Sequence, residues 1–235
     1  MRSLSLSCLL ALLVVTQMAS AAGSHKLHSV VLGAVRRVAY SKEGDPAGAA
    51  AGETELKIRA LIVDGQVKEW TTGDAHDVTD RSFVVRRVLR LNDALPDDKK
   101  GQWVWQRGPW LLVDRATGHV TALKLPDYDP GVSQVSWFRD YAAYCGVTAS
   151  GKSLYAVVAQ LAVRRPVLAR KLAGLDAASH PGPECGLPEW QRAPLRVTFH
   201  PAGKDAVSYD MVPGSAVLVE DAGEEPETAQ PAKPN

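Results

Sequence analysis

The chain has 235 residues, 27 basic and 26 acidic, and 46% of its residues are hydrophobic. That length supports one sizeable core or two small ones. The near-balance of charge gives no footing for a nucleic-acid binder or a polybasic membrane binder.

The first 22 residues, MRSLSLSCLLALLVVTQMASAA, place Arg2 ahead of an apolar run from Leu9 to Val15 and close on Ala19-Ser20-Ala21. That is the pattern of a cleaved secretory signal peptide. The run falls short of the ~20 residues that span a bilayer. Cys8 precedes the apolar core instead of standing at the cleavage site, which argues against a lipoprotein. The expectation is an exported chain, periplasmic or secreted, with no membrane span once residues 1–22 are gone. Cleavage removes Arg2 and leaves the two signs of charge equal at 26 each.

Period-two alternation dominates the remainder of the chain. HSVVLGAVRRVAY reads as a strand and leads into the small-residue loop KEGDPAGAAAGE. In TELKIRALIVD, Leu56, Ile58, Ala60 and Ile62 share one face, and Lys57 and Arg59 lie on the other. Asp64-Gly65 then separates this run from QVKEWTT, a two-residue hairpin signal because both turn residues need positive φ. SFVVRRVLRLND, QWVWQRG, PWLLVDR and HVTALKL are further strands, with a loop over 92–101 and a turn at Ala116-Thr117-Gly118. After PDYDPG come VSQVSWF, DYAAYCGV and SLYAVVAQLAV. PVLARKLAGLDAAS reads either as a short helix from Pro166 or as a strand with a loop, and residues 174–184 read as loop. LRVTFH and AVSYDM flank a Pro201-to-Lys204 hairpin, and SAVLV closes the ordered part. About eleven strands, with turn signals every 8–15 residues and at most one or two short helices, make an all-β class of antiparallel meanders. Glu220 onward carries five acids, one base (Lys233) and no large apolar residue, so residues 220–235 read as a disordered acidic tail. The expected organisation is a signal peptide over 1–22, one β-rich domain over 23–219, and the tail.

With Cys8 removed, Cys145 and Cys185 remain, and an even count in an exported chain suggests a disulfide. His180 and His200 do not recur at zinc-like spacing with them, which leaves a metal site without ligands.

Residues 146–153, GVTASGKS, spell the phosphate-binding loop of nucleotide hydrolases, with Lys152 and Ser153 in the phosphate and Mg²⁺ positions. Such a loop joins a buried parallel strand to a helix. The preceding YAAYC is no Val/Ile/Leu run, and Tyr155, Val157, Val158 and Val163 favour a following strand. Gly146, Gly151, Lys152 and Ser153 are therefore read as a chance match, with a β-turn at Ala149-Ser150-Gly151-Lys152 and no cofactor.

The segment from Trp103 to Leu172 resembles β-propeller meanders of the TolB and WD40-like kind. LLVDRATGHVTAL carries the D-x-x-T-G turn at Asp114, Thr117 and Gly118. VSQVSWFRDYAAYCGVTASGKSLYAVVAQ carries the W-x-x-D step at Trp137 and Asp140 and the G-K-x-L-Y hairpin at Gly151, Lys152, Leu154 and Tyr155. The whole chain is similar to uncharacterised exported proteins of Gram-negative bacteria. The resemblance implies meanders in a propeller or a sandwich, and it implies no activity.

Trp103, Trp105 and Trp110 crowd into WVWQRGPW, with Trp103 and Trp105 on one strand face. They form either an aromatic platform for sugar rings or a peptide, or part of a β core. Asp74, Asp77 and Asp80 with His76 offer Ca²⁺-like oxygen spacing without the EF-hand order, so turn and capping use is expected, as for Asp127 and Asp129. His25 and His28 are a weak surface-metal pair. G-x-S-x-G, H-E-x-x-H and S-x-x-K are missing. No catalytic, metal or cofactor residue is assigned. The expectation is a non-enzymatic binding or scaffolding protein with an envelope protein or glycan as partner and no nucleic acid. A carbohydrate hydrolase with two acids beside Trp103–Trp110 is the alternative, and a nucleotide hydrolase the remote one. Oligomeric state is not legible.

Overall fold

The computed structural model describes residues 28–43, 45, 52–97, 99–161, 163–175 and 185–219. The expected signal peptide, His25 and the expected acidic tail lie outside them. The described residues form fifteen strands and no helix, in three sheets. Every strand pairing is antiparallel. The all-β expectation is met, with more and shorter strands than the sequence suggested.

The first sheet holds β1 (Val30–Leu32), β2 (Arg36–Ala39), β3 (Glu55–Val63), β4 (Gln66–Thr79), β5 (Ser82–Asn92), β6 (Trp103–Asp114) and β7 (Val120–Ala122). β1 and β2 share the outer edge of β3: Val30–Leu32 pair with its second half and Arg36–Ala39 with its first. HSVVLGAVRRVAY is thus two strands, not one. β3 turns into β4 through Asp64-Gly65, with φ of 51° and 77°, the left-handed pair that a two-residue hairpin requires.

The alternation expected for β3 holds for Leu56, Ile58 and Ala60, and then burial changes face. Leu61 is fully buried and Val63 nearly so, while Ile62 is only half-buried. The reason is a sheet covered on opposite faces at its two ends. Leu56 and Ile58 pack with Val88, Val38, Trp70 and Trp105. Leu61 packs on the other face with Phe83, Val85, Leu111 and Val113. Each fully buried aliphatic side chain of this kind contributes ~1.5–3 kcal/mol from apolar area removed from water. The sheet also curls. Tyr40 bridges to Trp105 in parallel, and the β6–β7 turn reaches the far edge, where a Cβ on Gly118 would stand 2.7 Å from Val63 Cγ1.

The second sheet is a meander of β8 (Ser136–Phe138), β9 (Tyr141–Val147), β10 (Ser153–Gln160) and β11 (Leu168–Gly174). β11 settles the ambiguous PVLARKLAGLDAAS segment as strand: it pairs with β10, and its Leu168 is buried. The third sheet is a meander of β12 (Glu189–Gln191), β13 (Arg196–Phe199), β14 (Val207–Val212) and β15 (Ser215–Leu218).

These two sheets share one core, in which Ala143, Cys145, Leu154, Ala156 and Val158 meet Val197, Phe199 and Tyr209. The disulfide joins Cys145 in β9 to Cys185, with Cα atoms 6.3 Å apart. Cys185 itself bridges to Pro201 after β13, so the link ties the second sheet to the third. The first sheet meets the second through aromatic contacts: Trp110 lies edge-on to Trp137 at 5.3 Å. His76 stacks on Trp137, and its Nε2 lies 2.8 Å from the Arg139 carbonyl oxygen.

Candidate functional site: a basic aromatic groove

The GVTASGKS segment is a β-hairpin. β9 and β10 are antiparallel neighbours, the Gly151 N–H donates to the Thr148 carbonyl oxygen, and the Thr148 N–H donates to the Ser153 carbonyl oxygen. Lys152 is exposed and a strand follows it, so the strand–turn–helix frame of a phosphate loop is not formed here. Gly146 lies buried inside β9, and a Cβ there would meet the Asp127 carbonyl oxygen at 2.9 Å. Close packing accounts for that glycine.

The acidic run GDAHDVTD corrects the turn-and-cap reading. Asp74 and Asp77 belong to β4, not to a turn, because β4 continues through a bulge at 73–75 that places three residues opposite Val85 alone. Asp74 faces Arg59 at 3.4 Å and Asp77 faces Arg115 at 2.6 Å. Asp80 begins the turn into β5. Asp129 serves its turn, accepting from the Gly131 N–H at 2.8 Å. His28 Nδ1 lies 2.7 Å from Asp64 Oδ2. Among the described residues no three His, Cys, Asp or Glu gather as a metal site would need.

The D-x-x-T-G turn is built as its spacing suggests. The Asp114 carboxylate accepts from the Ala116 and Thr117 N–H groups at 2.7 and 3.0 Å. Those N–H groups, Thr117 first, hold its carboxyl below the usual carboxylate range.

The three tryptophans share a strand face but no common platform. Trp103, Trp105 and Arg107 pair with Asn92, Arg90 and Val88, and Trp110 pairs with Arg86. Between Arg86 and Val88 stands one residue of β5, opposite Gly108-Pro109 of β6. This bulge inserts one extra residue and brings Trp110 onto the face that simple alternation would deny it. QWVWQRG and PWLLVDR are accordingly one bulged strand. Trp110 then packs on Trp137, and Trp105 packs edge-on to Trp70 at 5.8 Å. Trp103 alone remains 52% exposed.

Around Trp103 and Trp105 lies a groove of about 460 Å³, lined also by Arg36, Arg37, Val38, Ala39 and Arg90. A second hollow of about 330 Å³ shares Arg36, Arg90 and Trp105 and adds Glu69, Trp70 and the Arg87–Leu89 stretch. The second hollow exists because the β4–β5 ladder stops. It runs from Thr79↔Ser82 to Thr71↔Arg87, and beyond that, among the described residues, β5 pairs with β6 alone.

The electrostatics are lopsided. Arg36 stands over Trp70 at 4.2 Å and Arg90 over Trp103 at 4.6 Å. Among the described residues neither has a carboxylate at ion-pair distance. Arg37 is paired with Glu55 at 3.5 Å in an exposed contact. The carboxylate lining the second hollow, Glu69, is held by Arg87 at 2.9 Å.

Farther along the same face, Arg107 holds Asp45 at 3.2 Å and Glu53 at 2.9 Å. Tyr40 donates a further hydrogen bond to Asp45. Burial nevertheless pushes the Asp45 carboxyl up, outweighing the Arg107 guanidinium. Two acids here are bound to one arginine, and neither lines the groove beside Trp103.

Sequence reading singled out Trp103, Trp105 and Trp110 but missed Arg36, Trp70 and Arg90, the groups that give the groove its charge. Alternation marks such arginines as outward-facing, and it cannot say that two of them end over indoles. No protein family, curated protein or solved structure matches the chain.

Proposed function

We propose that the mature chain is an exported, non-enzymatic binding protein of the bacterial envelope, and that the groove around Trp105 takes a negatively charged ligand. The pattern of residues 1–22 supports export, and the propeller-like character of Trp103–Leu172 belongs to the same reading as a rigid meander framework. The observation that carries the ligand class is the pairing of Arg36 with Trp70 and Arg90 with Trp103, without carboxylate partners among the described residues. A guanidinium placed over an indole keeps N–H donors for an anion and is already partly desolvated. A hydrolase would need two acids facing a bound chain. Glu69, the acid in the adjoining hollow, is neutralised by Arg87.

The test is titration of the mature protein with poly-Glu, polygalacturonate and neutral dextran, read by tryptophan fluorescence. At least one polyanion binds, the affinity falls as salt rises, and Arg36→Ala with Arg90→Ala weakens it roughly tenfold, equivalent to about 1.4 kcal/mol. Equal binding of dextran and polyanion, or no loss in the double variant, refutes the assignment.

A further inference from the structure

Among the described residues, the second hollow is bounded by a strand with one free side. β5 continues from Val88 to Asn92 paired with β6 on one edge, while β4 has left the other. The Asp93 N–H donates to the Gln102 carbonyl oxygen at 2.7 Å, so the residues that turn their backbone groups toward β6 are 93, 91 and 89. The neighbouring strand agrees: the Trp105 carbonyl oxygen accepts from the Ser41 N–H at 2.9 Å and so points away from β5. Arg90 and Asn92, opposite Trp105 and Trp103, therefore direct their N–H and C=O groups into the gap. An unpaired edge of this kind is a template for another strand.

The side chains flanking that edge differ by face. Arg90 lies on the face of Trp105 and Arg36, where the charge is positive. Leu89 and Leu91 lie on the opposite face, and Leu91 is 40% exposed. Resting on the anionic-ligand reading above, we infer that the groove takes an extended acidic peptide, added as a strand to β5 along Val88–Asn92. Main-chain hydrogen bonds to Arg90 and Asn92 supply affinity, and the alternating walls supply specificity. The matching segment alternates acidic with apolar residues. Its acids face Arg36 and Arg90, and its apolar side chains face Leu89 and Leu91. A sugar chain gains nothing from this two-residue period, whereas a β-strand carries it by construction.

The test uses labelled, capped hexapeptides with the mature protein: alternating Glu-Val, alternating Lys-Val, and a block peptide of three Glu then three Val. Fluorescence anisotropy is expected to show the alternating acidic peptide binding at least tenfold more tightly than the other two. N-methylation at every second residue abolishes binding in one phase of the peptide and spares it in the other. Arg90→Glu, a change at an exposed position, reverses the preference between the acidic and basic peptides. Polygalacturonate or a single-stranded oligonucleotide binding more tightly than the peptide, without any N-methyl phase, overturns strand addition and leaves the anionic groove standing. Self-association of the protein that the peptide cannot displace assigns the edge to a second copy and overturns the peptide. Binding of none of these anions removes both readings.

Discussion

Replacing both Cys145 and Cys185 with alanine removes a crosslink that closes a separation of 40 residues. The chain-entropy model assigns about 4 kcal/mol to a loop of that length. The sulfurs are buried, at 1% and 5% exposure for the two residues, in the core shared by the second and third sheets. Alanine is the suitable replacement, because a serine hydroxyl there adds about 1–3 kcal/mol of unpaired polar burial. The lost sulfur volume adds a cavity cost on top of the entropic term. With a urea slope of about 2 kcal/mol per molar, the midpoint falls by roughly 2 M. Equilibrium urea unfolding, followed by near-UV circular dichroism, reads this directly. Wild-type protein in reductant should fall to nearly the same midpoint as the variant. A shift under about 0.5 M in both experiments refutes the claim that this link clamps the two sheets. Two alkylatable thiols in freshly isolated protein would refute it independently.

Two further outcomes concern particular turns. Gly118→Ala puts a Cβ 2.7 Å from Val63 in a residue at φ +66°, whereas Gly151→Ala at φ +70° meets open space. The first should cost about 1–3 kcal/mol more than the second, and equal losses in thermal unfolding would show that the β6–β7 turn does not rest on β3. Asp114 has its folded pKa below its unfolded value of about 3.9, so its contribution is present above that value and is lost as pH falls through the lowered one. Asp114→Asn should therefore flatten the acid limb of the stability profile below about pH 4, and an unchanged limb would remove the N–H cradle as the cause.

The parts of this fold that were legible in the sequence are the local ones. Asp64-Gly65 and Thr148–Ser153 announced their turns because the backbone angles they need are carried by those residues alone. The hairpin of β13 and β14 was visible for the same reason. What stayed hidden depends on register against a partner strand. The bulge at 73–75 moved Asp74 and Asp77 from an expected turn into β4; its one local signal is Gly73, at φ 71°, and a glycine among aspartates reads as a turn as readily as a bulge. β11 read either as a short helix from Pro166 or as a strand, and pairing with β10 decided between them. The groove is the extreme case. Its aromatic half stood out as WVWQRGPW, but its cationic half comes from two other strands. The hollow itself exists because two strands part company after Thr71, an event without local chemistry.

The doubled residue at Gly108-Pro109 carries a consequence for how this strand tolerates change in length. Losing one of the two leaves Arg86 opposite Trp110 and Val88 opposite Arg107, with a single residue between them on each strand, so the ladder closes in its present register. Trp103, Trp105 and Trp110 then keep both their face and their cross-strand partners. A second lost residue in β6 finds no surplus to absorb it, and one half of the strand must then swap sides or slide along β5. The surplus residue is the slack by which β6 can shorten once without exchanging partners.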